Sequence, residues 1–229
     1  MKSKKVLITA LIIIAVLIIL VTVQACVIWN MKQKPKDNKN SETENQITYN
    51  STEDSKRFKE EYEALNGTTR ESDGETYNTV NIPEENPIVY INLEQFINVI
   101  NSDEESYIYM SSADCPYCRA TVGTLLDVVQ DLGIKKLYYF DLQTGMTFES
   151  EEQRQELTNI LIEKGFVTKK EDGSESWRIP LVAKTRSGEV LAKTIGTGIS
   201  YNEGQSKYSE LTEEQKQELY NDYYELLKD

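Results

Sequence analysis

Two cysteines three positions apart, in the run Asp114-Cys115-Pro116-Tyr117-Cys118-Arg119, are the residues of this chain best suited to chemistry. They follow a short apolar run, Tyr107 to Met110, and precede Val122, Leu125, Leu126, Val129 and Leu132 at helical spacing. The first cysteine therefore falls where a strand ends and a helix begins. There, unpaired backbone N–H groups and the positive end of the helix dipole favour thiolate over thiol. Pro116 suits the first helical position, because its missing N–H would have gone unpaired there anyway. Cys118, one turn further in, is more protected and is placed to attack a mixed disulfide formed on Cys115. That is the arrangement of a redox dithiol. Three other readings use the same residues. A zinc site needs four ligands, and beyond the apolar amino terminus this chain has two cysteines and no histidine. A structural disulfide here closes too small a loop to constrain the unfolded chain much. Inert core thiols belong inside an apolar stripe, whereas these follow polar Ser111, Ser112 and Asp114.

With 229 residues the chain has room for one ordinary core plus additions. The absence of histidine rules out a Ser-His-Asp or Cys-His nucleophile pair and a paired-imidazole metal helix. Whatever activates Cys115 must then be backbone, arginine or carboxylate. Asp114 and Arg119 flank the pair as modulators of opposite sign. The formal charge of -13 repels phosphate backbones, so no nucleic-acid partner is expected.

The amino terminus predicts a tether. Lys2, Lys4 and Lys5 precede an apolar run from Val6 to Trp29, 24 residues broken by Thr9, Thr22 and Gln24. As a helix this is about 36 Å, enough to cross a hydrocarbon core of roughly 30 Å. Residues 1–29 are accordingly expected to form a single N-terminal transmembrane helix. The alternative is a lipoprotein signal ending at Val23-Gln24-Ala25-Cys26, with Cys26 lipidated. Six of the 25 basic residues lie in the first 36, so beyond them 19 basic face 38 acidic side chains, a net of -19. The charged start and apolar run together predict a single-pass cell-membrane protein whose C-terminal domain is extracytoplasmic. Residues 30–52, rich in Lys, Asn, Glu and Thr, read as a flexible linker.

The elements that must position the dithiol follow. Residues 53–85 form an N-terminal extension, with a helix over Ser55 to Leu65 and a weak strand over Glu75 to Ile82. From residue 86 to 229 strands and helices alternate. Strands are expected at Ile88–Ile91, Tyr107–Met110 and Lys136–Leu142, each followed by a helix; Asn92 with Gln95 and Ser150 with Gln153 mark two helix starts. Lys169 to Ser176 reads as a loop. Ile179–Lys184 and Glu189–Thr194 form a hairpin around Arg186-Ser187-Gly188, and Thr212 with Gln215 opens a last helix bearing Leu219, Tyr223, Leu226 and Leu227. This order predicts an α/β fold, a central mixed sheet flanked by helices.

A strand running into Cys115-Pro116-Tyr117-Cys118, then Ile179-Pro180 at a strand start, Ser187-Gly188-Glu189 in a hairpin and Ile195-Gly196 after the next strand, resembles the thioredoxin superfamily. The resemblance covers residues 86–229 and implies a thioredoxin-like fold and a thiol–disulfide oxidoreductase. It also implies a cis Pro180 lying against the dithiol, with Ile179, Pro180, Ile195 and Gly196 lining the substrate groove. The chain departs from thioredoxins proper at Asp114, where they have Trp, and at Pro116-Tyr117, the pair of glutaredoxins. It also has Tyr109 where thioredoxins bury an acid, which leaves the general base unassigned. More narrowly, the chain is similar to tethered thioredoxin-like proteins of Gram-positive bacteria, including those accompanying bacteriocin export. The redox group is the Cys115–Cys118 disulfide itself, so no separate cofactor or metal is expected. Implied partners are exported proteins or peptides with cysteines and a membrane electron donor or acceptor. Helix-end stabilisation of the Cys115 thiolate makes the disulfide more oxidising and Asp114 opposes it, so an intermediate potential is expected; an oxidase or isomerase is preferred over a reductase because the outer face lacks a glutathione pool. The competing class is a tethered peptide-binding module whose disulfide is structural.

Overall fold

A computed structural model describes residues 47–228. The expected anchor over residues 1–29, Cys26 and most of the expected linker lie outside them. Among the described residues no helix is long and apolar enough to cross a membrane. The element order is α1 (Glu53–Glu63), β1 (Ile88–Tyr90), α2 (Leu93–Ile100), β2 (Ser106–Ser111), α3 (Pro116–Asp131), β3 (Leu137–Asp141), α4 (Glu151–Glu163), β4 (Thr168–Lys169), β5 (Glu175–Ser176), β6 (Leu181–Arg186), β7 (Glu189–Ile195) and α5 (Glu213–Leu227).

The main sheet has the order β1-β3-β2-β6-β7. β3 pairs in parallel with β1 and with β2, while β6 runs antiparallel to both β2 and β7. β2, which leads into Cys115, is therefore the central strand. Burial on both faces explains its apolar sequence, because alternate side chains serve opposite cores. Tyr109, Tyr139 and Val182 point to one face, where α1, α3 and α5 supply Phe58, Tyr62, Val122, Leu125, Leu219 and Tyr223. Ile108, Met110, Phe140 and Leu181 point to the other, covered by α2 and α4 through Phe96, Ile100 and Leu161. A mixed sheet with helices on both faces is the α/β arrangement expected from the element order.

Local signals account for most boundaries. Asn92 and Gln95 form a capping box at α2, as do Thr212 and Gln215 at α5, and Ser150 accepts from the Gln153 N–H at α4. Ser187 and Gly188 have φ of 49° and 80°, the two positive values that a tight hairpin turn needs to match strand twist.

Four details differ from the expectation. β6 begins at Leu181 rather than Ile179, since Pro180 has no N–H to give a ladder. Lys169 to Ser176 is not a plain loop but carries the small β4–β5 hairpin, turned at Asp172 and Gly173. Glu75 to Ile82 is extended without being a strand; its backbone pairing with residues 67–70, around the single bridge Thr69 to Thr76, stops at Tyr77, and beyond that side chains take the backbone groups of Val80 and Ile82. Asn66 bonds both the N–H and the carbonyl of Val80, at 2.9 and 2.8 Å, and Glu63 accepts from Ile82 N–H at 2.8 Å. Lastly, α1 starts two residues early because Thr52 and Ser55 form a capping box.

The extension is an integral part of this core. Phe58 and Tyr62 are 0 % exposed, and the Phe58 ring lies 4.8 Å from that of Tyr139, edge to face. Burial of each such side chain is worth about 1.5–3 kcal/mol. Attachment reaches further back still, since Tyr49 OH donates to the Ile134 carbonyl at 2.8 Å.

Candidate active site

Cys115 occupies the N-cap of α3, in extended conformation (φ -82°, ψ 114°), with Pro116 in the first turn. Its Sγ accepts from the Cys118 N–H at 3.4 Å, the bond an N-cap side chain makes to the third helical residue. Cys115 is partly exposed and Cys118 is 0 % exposed. The chain enters this corner through a turn in which Cys115 N–H donates to the Ser112 carbonyl at 3.1 Å.

The two thiols are driven in opposite directions. A hydrogen bond from the Cys118 side chain, with backbone N–H groups of Cys118 and Tyr117, holds Cys115 below the ordinary thiol range against burial and the Asp114 charge. Burial pushes Cys118 well above it, reinforced by the adjacent Cys115, while Ser111 and the Ser112 N–H act the other way. One sulfur is thus a ready nucleophile, and the other holds its proton until attack is required. Alkylation by iodoacetamide is expected to give Cys115 a titration midpoint below the ordinary thiol pKa of about 8.5. Asp114→Asn removes a charge that raises the Cys115 pKa, so it should lower that midpoint further. A midpoint that rises or stays put would remove Asp114 as a modulator.

Ile179 and Pro180 are joined by a cis peptide bond. In the β2–β6 register Met110 pairs with Leu181, so Ile179 and Pro180, which directly precede Leu181, lie at the end of the sheet from which β2 runs on toward Cys115. β7 brings Ile195 opposite Leu181, and Gly196 N–H donates to the Pro180 carbonyl at 2.7 Å. The four residues expected to line the groove therefore share one end of the sheet with the dithiol.

Tyr117 is 40 % exposed, its ring centroid 6.4 Å from that of Tyr201. Burial pushes the Tyr201 phenol above its ordinary range, with smaller contributions from Tyr117 and Cys115. Asp114 accepts from Ser112 Oγ through its carboxylate and from Tyr77 OH, at 3.0 Å, through its carbonyl.

Arg119 is placed differently from the expectation of a thiolate partner. It is 2 % exposed and directs its guanidinium to the extension: Nη1 donates to the Tyr62 carbonyl at 2.6 Å, and Nη2 to Asn66 Oδ1 at 2.6 Å and the Asn78 carbonyl at 2.8 Å. Nη1 also reaches the Ala113 carbonyl at 3.3 Å, and the Tyr77 ring lies 5.2 Å from the guanidinium carbon. Backbone groups and the neighbouring thiol, rather than this cation, hold the Cys115 charge. Among the described residues no group of three or more Cys, Asp and Glu is arranged to hold a metal ion.

From sequence, Tyr62 is only one of the apolar positions at helical spacing with Phe58 and Leu65, and nothing marks Tyr77 or Tyr201 for the site. They lie 53, 38 and 86 positions from Cys115, so no local pattern connects them to it. Ser111 stood out only as a polar residue before the motif, and Tyr109 only as a substitute for an acid.

No protein-family model and no curated protein matches this chain. Solved structures similar to it include thioredoxin Mala s 13 of Malassezia sympodialis, 14% identical, covering 48% of this chain and 76% of that one at a TM-score of 0.32. Thioredoxin from Trypanosoma brucei brucei is 16% identical over 51% of this chain and 86% of its own, TM-score 0.34. Mitochondrial thioredoxin 3 from Saccharomyces cerevisiae is 17% identical over 48% and 83%, TM-score 0.32. At that degree of overlap the likeness adds nothing to the site, whose reading rests on the chain's own geometry.

Proposed function

We propose that this chain is a thiol–disulfide oxidoreductase, tethered to a membrane by residues 1–29 and acting outside the cytoplasm on exported proteins or peptides that contain cysteines. One observation carries the reading: a partly exposed Cys115 at the N-cap of α3 accepts the N–H of Cys118, whose own side chain is fully buried. A structural disulfide has no need of such asymmetry, whereas a two-step exchange does. The Cys115 thiolate attacks a substrate disulfide, and Cys118 then releases the reduced substrate; run in reverse, the Cys115–Cys118 disulfide oxidises a substrate dithiol. Stabilisation of the Cys115 thiolate lowers the energy of the reduced form, and that favours the oxidising or isomerising direction. The strongly acidic balance suits basic clients. A membrane electron donor or acceptor completes the cycle, and the tie to bacteriocin export belongs to this proposal as one class of client.

The test is a trap. Full-length Cys118→Ser protein, expressed in a Gram-positive host, is expected to accumulate mixed disulfides on Cys115 that reducing agent releases, with exported proteins among them. A protein that needs only its peptide groove would retain its biological effect with both cysteines replaced by serine and would capture nothing. That outcome would falsify the enzyme reading.

A further inference from the structure

Deprotonating Cys118 creates a charge in a closed core, where an anion without hydrogen-bond donors is strongly disfavoured. The titratable groups that face it are thiol and phenol: Cys115 at the start of α3, Tyr62 from α1, Tyr109 from β2, Tyr139 from β3 and Tyr223 from α5. Asp141 bears on Tyr139, and Arg119 binds the backbone of Tyr62. Hydrogen bonding from the Ser111 side chain and from the Ser112 N–H opposes the upward push of burial on the Cys118 pKa. Ser111 Oγ lies 2.7 Å from Tyr62 OH, which lies 3.3 Å from Tyr109 OH. Ser111, Tyr62 and Tyr109 are each 0 % exposed.

Each hydroxyl has one proton to give and lone pairs to receive. With Tyr109 donating to Tyr62, and Tyr62 to Ser111, the Ser111 proton is free to point at the sulfur. When Cys118 is a thiol the same oxygens can reverse their sense, because either atom of each pair can be the donor. Such chains polarise along their length, most strongly where water is excluded.

We propose that Ser111, backed by Tyr62 and then Tyr109, forms a hydroxyl donor chain that stabilises the Cys118 thiolate while it resolves the mixed disulfide on Cys115. The inference rests on the oxidoreductase reading above. In the resolving step the Cys118 proton goes to solvent, and the thiolate attacks Cys115 Sγ. The Cys115–Cys118 bond forms as the bond from Cys115 to the substrate sulfur breaks. The electron pair leaves on that sulfur, which takes a proton from water. The dithiol loses two electrons and the substrate disulfide gains them. In this proposal Ser111 is the donor to the reacting sulfur; Tyr62 and Tyr109 are positioning residues that act through it.

The experiment mixes reduced protein with a chromogenic aromatic disulfide and follows two thiolate releases. Cys115 produces the first, and Cys118, attacking the mixed disulfide, the second. Ser111→Ala is expected to slow the second release relative to the first about tenfold at neutral pH, the scale of one lost hydrogen bond to a charged group. Its pH inflection should move to higher pH, so that variant and parent converge in alkali. Tyr62→Phe keeps the ring in the aromatic core and should move the same inflection in the same direction by less, which keeps the test open if Ser111→Ala fails to fold. A second-release profile superimposed on the parent's, or one slowed equally at every pH, overturns the donor chain. A parent that gives no first release instead overturns the oxidoreductase reading itself.

Discussion

Cys115→Ser is expected to remove catalysed thiol–disulfide exchange, with a rate loss of roughly 10⁴-fold or more, the scale on which deleting a nucleophile acts. The loss is chemical rather than structural. Serine is among the best N-cap residues, so its Oγ can take the bond that Cys115 Sγ makes with the Cys118 N–H. The variant should therefore unfold within about 1 kcal/mol of the parent. What disappears is the low-pKa sulfur: a serine hydroxyl cannot form the mixed disulfide, and Cys118, buried and held protonated, cannot substitute for it. The measurement pairs a turnover assay, such as reoxidation of a reduced dithiol peptide, with a urea melt of the same preparation. Residual turnover within tenfold of the parent would mean that Cys118 reaches substrate directly, and the division of labour between the two thiols would be wrong.

The largest effect on stability is expected at Arg119, beside the motif but turned away from its chemistry. Its guanidinium is held by neutral oxygens: the Tyr62, Asn78 and Ala113 carbonyls and the Asn66 side chain. Arg119→Met keeps much of the side-chain volume and removes every donor. Buried carbonyls of Tyr62 and Asn78 then lose their partners. With hydrogen bonds to a charged group worth about 1.5–3 kcal/mol each, the expected cost is about 3–5 kcal/mol. That is a large fraction of the stability of a domain, roughly 5–15 kcal/mol in total. The damage should be directional, because these bonds fasten the segment from Asn66 to Asn78 against α3. Limited proteolysis is expected to cut that segment in the variant long before the parent, while urea unfolding reports the total. Arg119→Lys should recover only part, since an ammonium cannot span oxygens that a planar fork reaches from two nitrogens. A cost below about 1 kcal/mol would show that the Arg119 hydrogen bonds do not hold the extension in place.

The two outcomes separate features that the sequence places four residues apart. From sequence, Arg119 is a cation next to a nucleophile, and electrostatics at short range makes it a modulator. In three dimensions a helical step carries it around α3 to the side where the extension packs, and the length of its side chain takes the charge to carbonyls of residues 62 and 78. The same effect hid Tyr62. Nothing near position 62 indicates that its hydroxyl ends 2.7 Å from Ser111 Oγ, because the contact depends on how α1 docks on the sheet. Glu75 to Ile82 was misleading for a related reason: alternation of buried residues is the pattern of a strand, but side chains from α1 and its exit loop took the backbone groups that a neighbouring strand would have used.

What the sequence determined by itself was whatever depends on neighbours in the chain. Strand and helix order, the caps at Asn92, Ser150 and Thr212, and the tight turn at Ser187 and Gly188 are of this kind, as is the placing of Cys115 at a helix start with Cys118 one turn inside. Each follows from periodicity or backbone chemistry acting over fewer than about ten residues. Tertiary structure alone decided the surroundings of the two sulfurs. Packing of α1, β2, β3 and α5 buried Cys118 among hydroxyls, and the β2–β6–β7 registers carried Ile179, Pro180, Ile195 and Gly196 to the end of the sheet where Cys115 sits. Burial and hydrogen-bond partners are properties of the assembled core, contributed by residues tens of positions apart, and they set which thiol gives up its proton first.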